Sequence, residues 1–243
     1  MRVFRVTPHF SIAMLGLFLA CAAMRASDGD KKPDLTPLMT AAANDDLQAV
    51  RQLIAKGANV RQRTKSGETA LYEAIERRKL AKDNLPIVDA LLKAGADPNE
   101  VEVFDTSALV VSLTREYGNP EVTLLLLRSG ARVPFTCEDG DPVVALATMS
   151  SSVEVLKALL GVGAPVDCPG IHGQTALHRA AMKGDADRVA ILLEYGASPY
   201  QRDSDGRTPL DVATTTSLDD SVQARFEKTR ELMNPALRKA AEK

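Results

Sequence analysis

Tryptophan is absent from this 243-residue chain and aromatic residues make up only 4% of it, so the flat side chains on which single-stranded nucleic acid stacks are scarce. No surplus of positive charge compensates. The 30 Lys and Arg stand against 32 Asp and Glu, a formal charge of −2 that offers no footprint for nucleic acid or an anionic lipid surface. Catalytic signatures are missing as well: the chain has no Gly-x-Ser-x-Gly elbow, no Gly-x4-Gly-Lys phosphate loop and no His-Glu-x-x-His helix. Of three histidines, His9 lies in the amino-terminal segment, and His172 and His178 bring no third ligand with them. No enzyme activity, metal, cofactor or small-molecule substrate is therefore expected. No Asn-x-Ser/Thr glycosylation acceptor occurs either. What remains, 45% apolar and 26% charged, is the balance of a folded chain.

The most apolar run, SIAMLGLFLACAA from Ser11 to Ala23, is too short to span a bilayer comfortably. Arg2 and Arg5 precede it, small residues close it, and Arg25, Asp28, Asp30 and Lys31 follow, which is the pattern of a secretory signal. Residues 1–23 are accordingly expected to be a signal, 24–34 a linker, and the location secreted or periplasmic. Ala20-Cys21-Ala22 suits a peptidase site, while a cysteine there also allows lipoprotein processing with Cys21 acylated. Both routes stay open, and a membrane enters only through the second. Loss of Arg2 and Arg5 would leave the rest mildly acidic.

A period organises the remainder. Gly-Ala recurs at Gly57, Gly95, Gly130, Gly163 and Gly196, at intervals of 38, 35, 33 and 33 residues. Four residues before each glycine stands a leucine (Leu53, Leu91, Leu126, Leu159, Leu192), and three before it Ile54, Leu92, Leu127, Leu160 or Leu193. These columns predict helices that bury one face and end at a glycine able to enter the left-handed region. A second motif lies upstream: TPLMTAA from Thr36, TALYEAI from Thr69, SALVVSL from Ser107, PVVALAT from Pro142, TALHRAA from Thr175 and TPLDVAT from Thr208. A Thr or Ser cap followed by Pro or Ala starts a helix, so each unit reads turn, helix, turn, helix. Longer spacings place extra residues between the paired helices at RRKLAKDNLP and REYGNP, with Pro86 and Pro120 opening the second helices.

These motifs resemble the ankyrin-repeat family, whose period is about 33 residues and whose signature is Thr-Pro-Leu-His-x-Ala. The likeness covers Leu35 to Ala213, is sharpest at Gly173–Tyr200, and is weakest where Ser107 and Pro142 replace threonine. It implies an all-α solenoid with β-turn fingers, about five full repeats and a partial sixth over 35–213. Residues 214–243 then supply a polar capping helix, Ser217–Met233, and a tail. Resemblance to exported bacterial members implies a protein-protein interaction scaffold. Two roles follow from it: capture or inhibition of a periplasmic protein, immunity-like, or an envelope-associated structural or stress-protective scaffold.

By the same resemblance Thr175 and His178 fasten a helix start by hydrogen bonds, and partners contact the finger tips and the concave face of the first helices. In those slots Phe104, Met149, Ile171 and Met182 form an apolar stripe rimmed by Arg115, Asp139, His172 and Lys183, the expected partner-binding residues. Irregular units covering the stripe themselves would be the alternative. Lys183 and Asp185, between paired helices, are read as solvated charges. Cys137 and Cys168, in neighbouring turn regions, are a candidate disulfide suited to an oxidising compartment. Their registers differ by two residues, and bridging needs Cα atoms within about 7 Å, so pairing and free thiols both remain open.

Overall fold

Side chains that close hydrogen bonds on their own backbone mark where most of the described helices begin. The computed structural model describes residues 34–76, 84–100, 107–114, 119–133, 142–149, 152–214 and 220–234. Among these, the helices in chain order are α1 (Pro37–Ala43), α2 (Leu47–Ala55), α3 (Ala70–Glu76), α4 (Leu85–Lys93), α5 (Ala108–Thr114), α6 (Pro120–Arg128), α7 (Val143–Ala147), α8 (Val153–Gly161), α9 (Ala176–Met182), α10 (Ala186–Glu194), α11 (Pro209–Val212) and α12 (Asp220–Met233). A single 3-10 turn, Ile171–Gly173, precedes α9. Met1–Asp34 and Leu35–Lys243 form separate units. The expected signal and linker, Cys21 included, and the two insertion sites at 77–83 and 115–118 lie outside the described residues.

Odd-numbered helices start on the upstream motif, with Thr36, Thr69, Thr175 and Thr208 before four of them, Ser107 before α5 and Pro142, which makes no side-chain cap, before α7. The hydroxyl of Thr36 accepts from Met39 N–H at 3.2 Å, and that of Thr208 from Asp211 N–H at 3.3 Å while the Asp211 carboxylate takes the Thr208 N–H at 2.8 Å. Each such pair satisfies donors that a first turn leaves open. Even-numbered helices use Asp46, Asn119, Ser152 and Asp185 as side-chain caps. Pro120 opens α6, and Pro86 sits within the first two residues of α4.

Termination is uniform. At the end of α8, Gly163 takes a φ of 89°, its N–H donates to Leu160 O at 3.0 Å, and Ala164 N–H donates to Leu159 O at 3.1 Å. Two orphan carbonyls are thereby satisfied by a left-handed residue and its successor. The same pair of bonds closes α2, α4, α6 and α10. The residues whose carbonyls are used are those of the two apolar columns, so one stretch of sequence both buries and ends the helix.

First helices stack on first helices, α1 on α3 through to α9 on α11, and α2, α4, α6 and α8 stack likewise behind them. Leu38, Leu71, Leu109, Val144 and Leu177 repeat along the inner row and are buried, as are Leu91, Leu126, Leu159 and Leu192 behind them. Burying each such side chain contributes about 1.5–3 kcal/mol. Leu53, in the first described unit, is half-buried. Ile54, Leu92, Leu127 and Leu193 are half-buried while Leu160 is buried, so one column is core and the other mostly its margin. At the far end α12 fills the place of a second helix, against α11 and across α10. Side chains also bridge successive outer loops: Arg61 Nε donates to Gly95 O at 2.7 Å, Asn99 Nδ2 to Gly130 O at 2.9 Å, and Ser198 N–H donates to the Asp167 carboxylate at 2.9 Å.

Gly184, at the end of α9, has a φ of 61°, and a Cβ there would stand 2.8 Å from the ring of Phe226 on α12. At Gly163 a Cβ would meet nothing. Gly163→Ala is expected to cost about 1 kcal/mol for its left-handed backbone alone. Gly184→Ala adds an overpacking cost and should lose about 2 kcal/mol or more. Urea unfolding followed by circular dichroism measures the difference, and equal losses would show that α12 does not press on this turn.

Candidate protein-binding surface

The inner helices end in a row of turns, and there the fourth and fifth repeats differ from the rest. Met149 follows α7 and Met182 closes α9, in the same register 33 positions apart, and they are 47% and 48% exposed. The matching positions are Ala43, Glu76 and Thr114 in earlier repeats. Lys183 Nζ donates to Thr148 O at 3.4 Å, tying the end of α9 to the end of α7. Each methionine is the chain neighbour of one of those residues, so the two share one surface.

Lys183 and Asp185 are not simply solvated, which corrects the expectation for this loop. The Asp185 carboxylate accepts from Arg188 N–H at 3.1 Å and forms an ion pair with the Arg188 guanidinium, both side chains being largely covered. Lys183 is held below the ordinary lysine value, first by burial and then by the charges of Arg188 and Arg179, against the opposing pull of Asp185. The causes differ: Asp185 is engaged by Arg188 of its own helix, whereas Lys183, exposed at its own position, reaches Thr148 O across the repeat boundary.

Ile171 and His172 occupy the finger before α9. Ile171 is half-buried, and His172 is exposed with a φ of 62°, its carbonyl accepting from Ser204 N–H of the next finger at 2.9 Å. They therefore sit at the amino end of α9 and Met182 at its carboxyl end, roughly 10 Å apart for seven residues at 1.5 Å each. Met149, Met182 and Lys183 are brought together; Ile171 and His172 form a second place. Phe104, Arg115, Asp139 and Cys137 lie outside the described residues. Cys168 is buried and disulfide-bonded.

His178 is fully buried. Its Nδ1 accepts from Thr175 N–H at 3.2 Å and lies 2.9 Å from the Thr175 hydroxyl, and its Nε2 lies 3.0 Å from Arg207 O. An amide can only donate and a carbonyl only accept, so the ring is the neutral Nε2–H tautomer. It joins the fifth repeat to the sixth finger and has no access to a substrate. That finger carries a network that sequence reading missed. Asp203 is buried and accepts from Asp205 N–H, Arg207 N–H and the Arg207 guanidinium at 2.9–3.1 Å. Burial works against its charge, yet these donors outweigh burial and hold the acid below its ordinary value. The signal was the Asp-x-x-Gly-Arg spacing before Thr208-Pro209.

The profile of the family described as Ankyrin repeats (3 copies) matches residues 12–102, 109–203 and 146–228. The chain belongs to the ankyrin-repeat family. This ankyrin-repeat chain is similar to the crystal structure of an ankyrin repeat domain from Acinetobacter baumannii AYE, with 28% identity, a TM-score of 0.64, and 81% of this chain and 95% of that one covered. It shares its fold, at 23% identity and a TM-score of 0.64, with a chain in the structure of the predatory endopeptidase Bd0816 from Bdellovibrio bacteriovorus in complex with immunity protein Bd3460, covering 82% of this chain and 97% of that one. It is 31% identical over 218 residues to the human mitochondrial disaggregase, 84% of this chain but 28% of that protein. The ankyrin-repeat chain spans between 10% and 28% of the length of the first curated relatives it matches. Ankyrin repeats make a scaffold for protein-protein interaction.

Replacing His178 by Ala strands the Thr175 N–H and the Arg207 carbonyl inside the stack and is expected to cost about 2–4 kcal/mol by urea unfolding. The Asp203 effect has a sign. A carboxyl depressed in the folded state stabilises it above the unfolded value near 3.9 and loses that contribution as pH falls through the folded value. Asp203→Asn should therefore unfold more easily than the parent at pH 6, with the gap closing below about pH 4. Unfolding midpoints at pH 3 to 7 measure this, and a gap that stays constant would remove the charge from the account.

Proposed function

We propose that this ankyrin-repeat chain is exported and captures a protein in its compartment, masking it as an inhibitor or immunity protein does. One observation carries the reading. Two methionines stand half-exposed side by side in matching positions of adjacent repeats, where a solitary monomer would gain from polar groups. Methionine adapts its shape to a partner, and an apolar centre with a charged rim is how an interface is built. Repeats that use His178 to join a neighbour leave the concave face as the surface open to variation.

Export is supported by the basic start, the apolar run Ser11–Ala23 and the small residues after it. The disulfide at Cys168 suits an oxidising compartment. Lipid attachment at Cys21 belongs to the same proposal as a variant of its processing. The endopeptidase and immunity protein of the Bdellovibrio structure are consistent with the inhibitory role, though the likeness extends to the fold.

The full chain, expressed in a bacterial host, should yield a mature protein whose mass shows removal of the amino-terminal segment or a lipid on Cys21. Used as bait on an extract of its own source, it should retain one defined partner. Met149→Asp with Met182→Asp should abolish that capture while the melting temperature stays within about 2 °C, since exposed substitutions alter stability little. Undiminished capture rejects the surface, and an uncleaved, unmodified amino terminus rejects export. Unfolding of the double variant would show that the repeats cover the methionines themselves.

A further inference from the structure

We propose that the row of turns closing the second helices is a contact between two copies of this chain, paired antiparallel about a two-fold axis. This surface is separate from the one assigned to capture. Five large apolar side chains are exposed among the described residues, and besides Met149 and Met182 they are Val162, Tyr195 and Tyr200, at 53%, 42% and 67%. Tyr195 follows α10 and Met182 precedes it, so the nine residues of that helix, at 1.5 Å each, set the two about 14 Å apart. Val162 ends α8 as Tyr195 ends α10, in the same register 33 positions earlier, and Tyr200 lies in the loop that follows.

The same register carries different chemistry at the other end of the row. Just before the left-handed glycines it reads Lys56, Ala94, Ser129, Val162 and Tyr195, and one residue earlier Ala55, Lys93, Arg128, Gly161 and Glu194. Four positions beyond the glycine, Arg61 of the first repeat matches Tyr200 of the fifth. Lys93 is balanced by its ion pair with Asp89 at 2.7 Å, so the cationic excess rests on exposed Lys56, Arg61, Arg128 and Arg132. In the fifth repeat the exposed charge is Glu194, beside the tyrosines; Arg202, farther on, donates to Gly206 O in its own finger. The row is thus cationic at one end and aromatic with a carboxylate at the other, within a chain whose formal charge is only −2. Arg61 bonded to Gly95 O, Asn99 to Gly130 O and Ser198 to Asp167 hold neighbouring loops in place, so the surface is formed before any partner arrives.

Laid parallel, two such rows set like against like. Reversed, they match: with Ser129 near the axis, Lys56 and Arg61 of one copy face Glu194, Tyr195 and Tyr200 of the other, and the two-fold repeats the same contacts on its far side. Ammonium meets carboxylate, and a guanidinium over a phenol ring gains the attraction of a cation for an aromatic face. At about 10 Å between neighbouring repeats the five turns extend roughly 40 Å. A strip of that length and about 20 Å width supplies the roughly 800 Å² per partner that a stable interface buries.

Sedimentation equilibrium of the purified mature protein tests this. At about 50 µM and low salt it should be dimeric, and the dimer should weaken as salt rises. Tyr195→Ser with Tyr200→Ser should leave a monomer whose circular dichroism matches the parent. Lys56→Glu and Glu194→Lys each bring like charges together at two symmetric places, and self-association of either should weaken about tenfold or more. Mixed, the two variants should dimerise as well as the parent, because in the heterodimer every like-charge contact becomes an ammonium–carboxylate pair. A chain that stays monomeric up to about 200 µM, a dimer indifferent to the tyrosine replacements, or a mixture no better than its components overturns the proposal. Capture of another protein lost in the tyrosine variant would assign the aromatic end to that protein and overturn it as well.

Discussion

Everything in this stack depends on the left-handed turn that ends each second helix. Its glycine lets two successive amides turn back onto the carbonyls three and five residues behind, as Gly163 and Ala164 do onto Leu160 and Leu159. The chain leaves the helix in one fixed direction each time, toward the next finger. Because five turns share this geometry, equivalent residues fall above one another, and a repeat that has little core of its own acquires one from its neighbours.

That regularity sets the division of labour. Positions facing a neighbouring repeat are committed: Leu126 and Leu159 to packing, Asn99 and Asp167 to the loops beside them, His178 to the next finger through Arg207 O. Positions on the inner helix ends lie outside the leucine columns, and they carry different residue types from repeat to repeat. The contrast between Glu73 and Glu76 in the second repeat and Arg179 and Met182 in the fifth is the result. A linear scaffold can vary its surface without touching its core, and the exposed Met149 and Met182 at the ends of α7 and α9 differ in this way from the matching Ala43, Glu76 and Thr114.

Two termini manage the open faces of the stack differently. Leu53 remains half-buried at the first repeat. At the last, α12 lays a helix with exposed Gln223, Arg225, Glu227 and Lys228 over α10 and buries Met233 and Thr229. Gly184 shows how closely this cap fits, since Phe226 occupies the space a methyl group would need.

The sequence by itself determined the repeat, its caps and its helix ends. Thr36, Thr175 and Thr208, the Gly-Ala pairs and the leucine four residues before them act through bonds within a few residues of themselves, and local interactions are legible in local patterns. It also indicated Thr175 and His178 as the pair that fastens a helix start, whereas the contact of His178 with Arg207 O one repeat away came only with the structure. What only the tertiary structure decided are the relations between repeats. Ile171 and Met182 are separated by the length of α9, Lys183 is drawn to Thr148 one repeat back, and Arg225 of α12 reaches Lys183 O. Those outcomes depend on how one unit is rotated and set against the next, and a periodic sequence records the spacing of its units but not the angle between them.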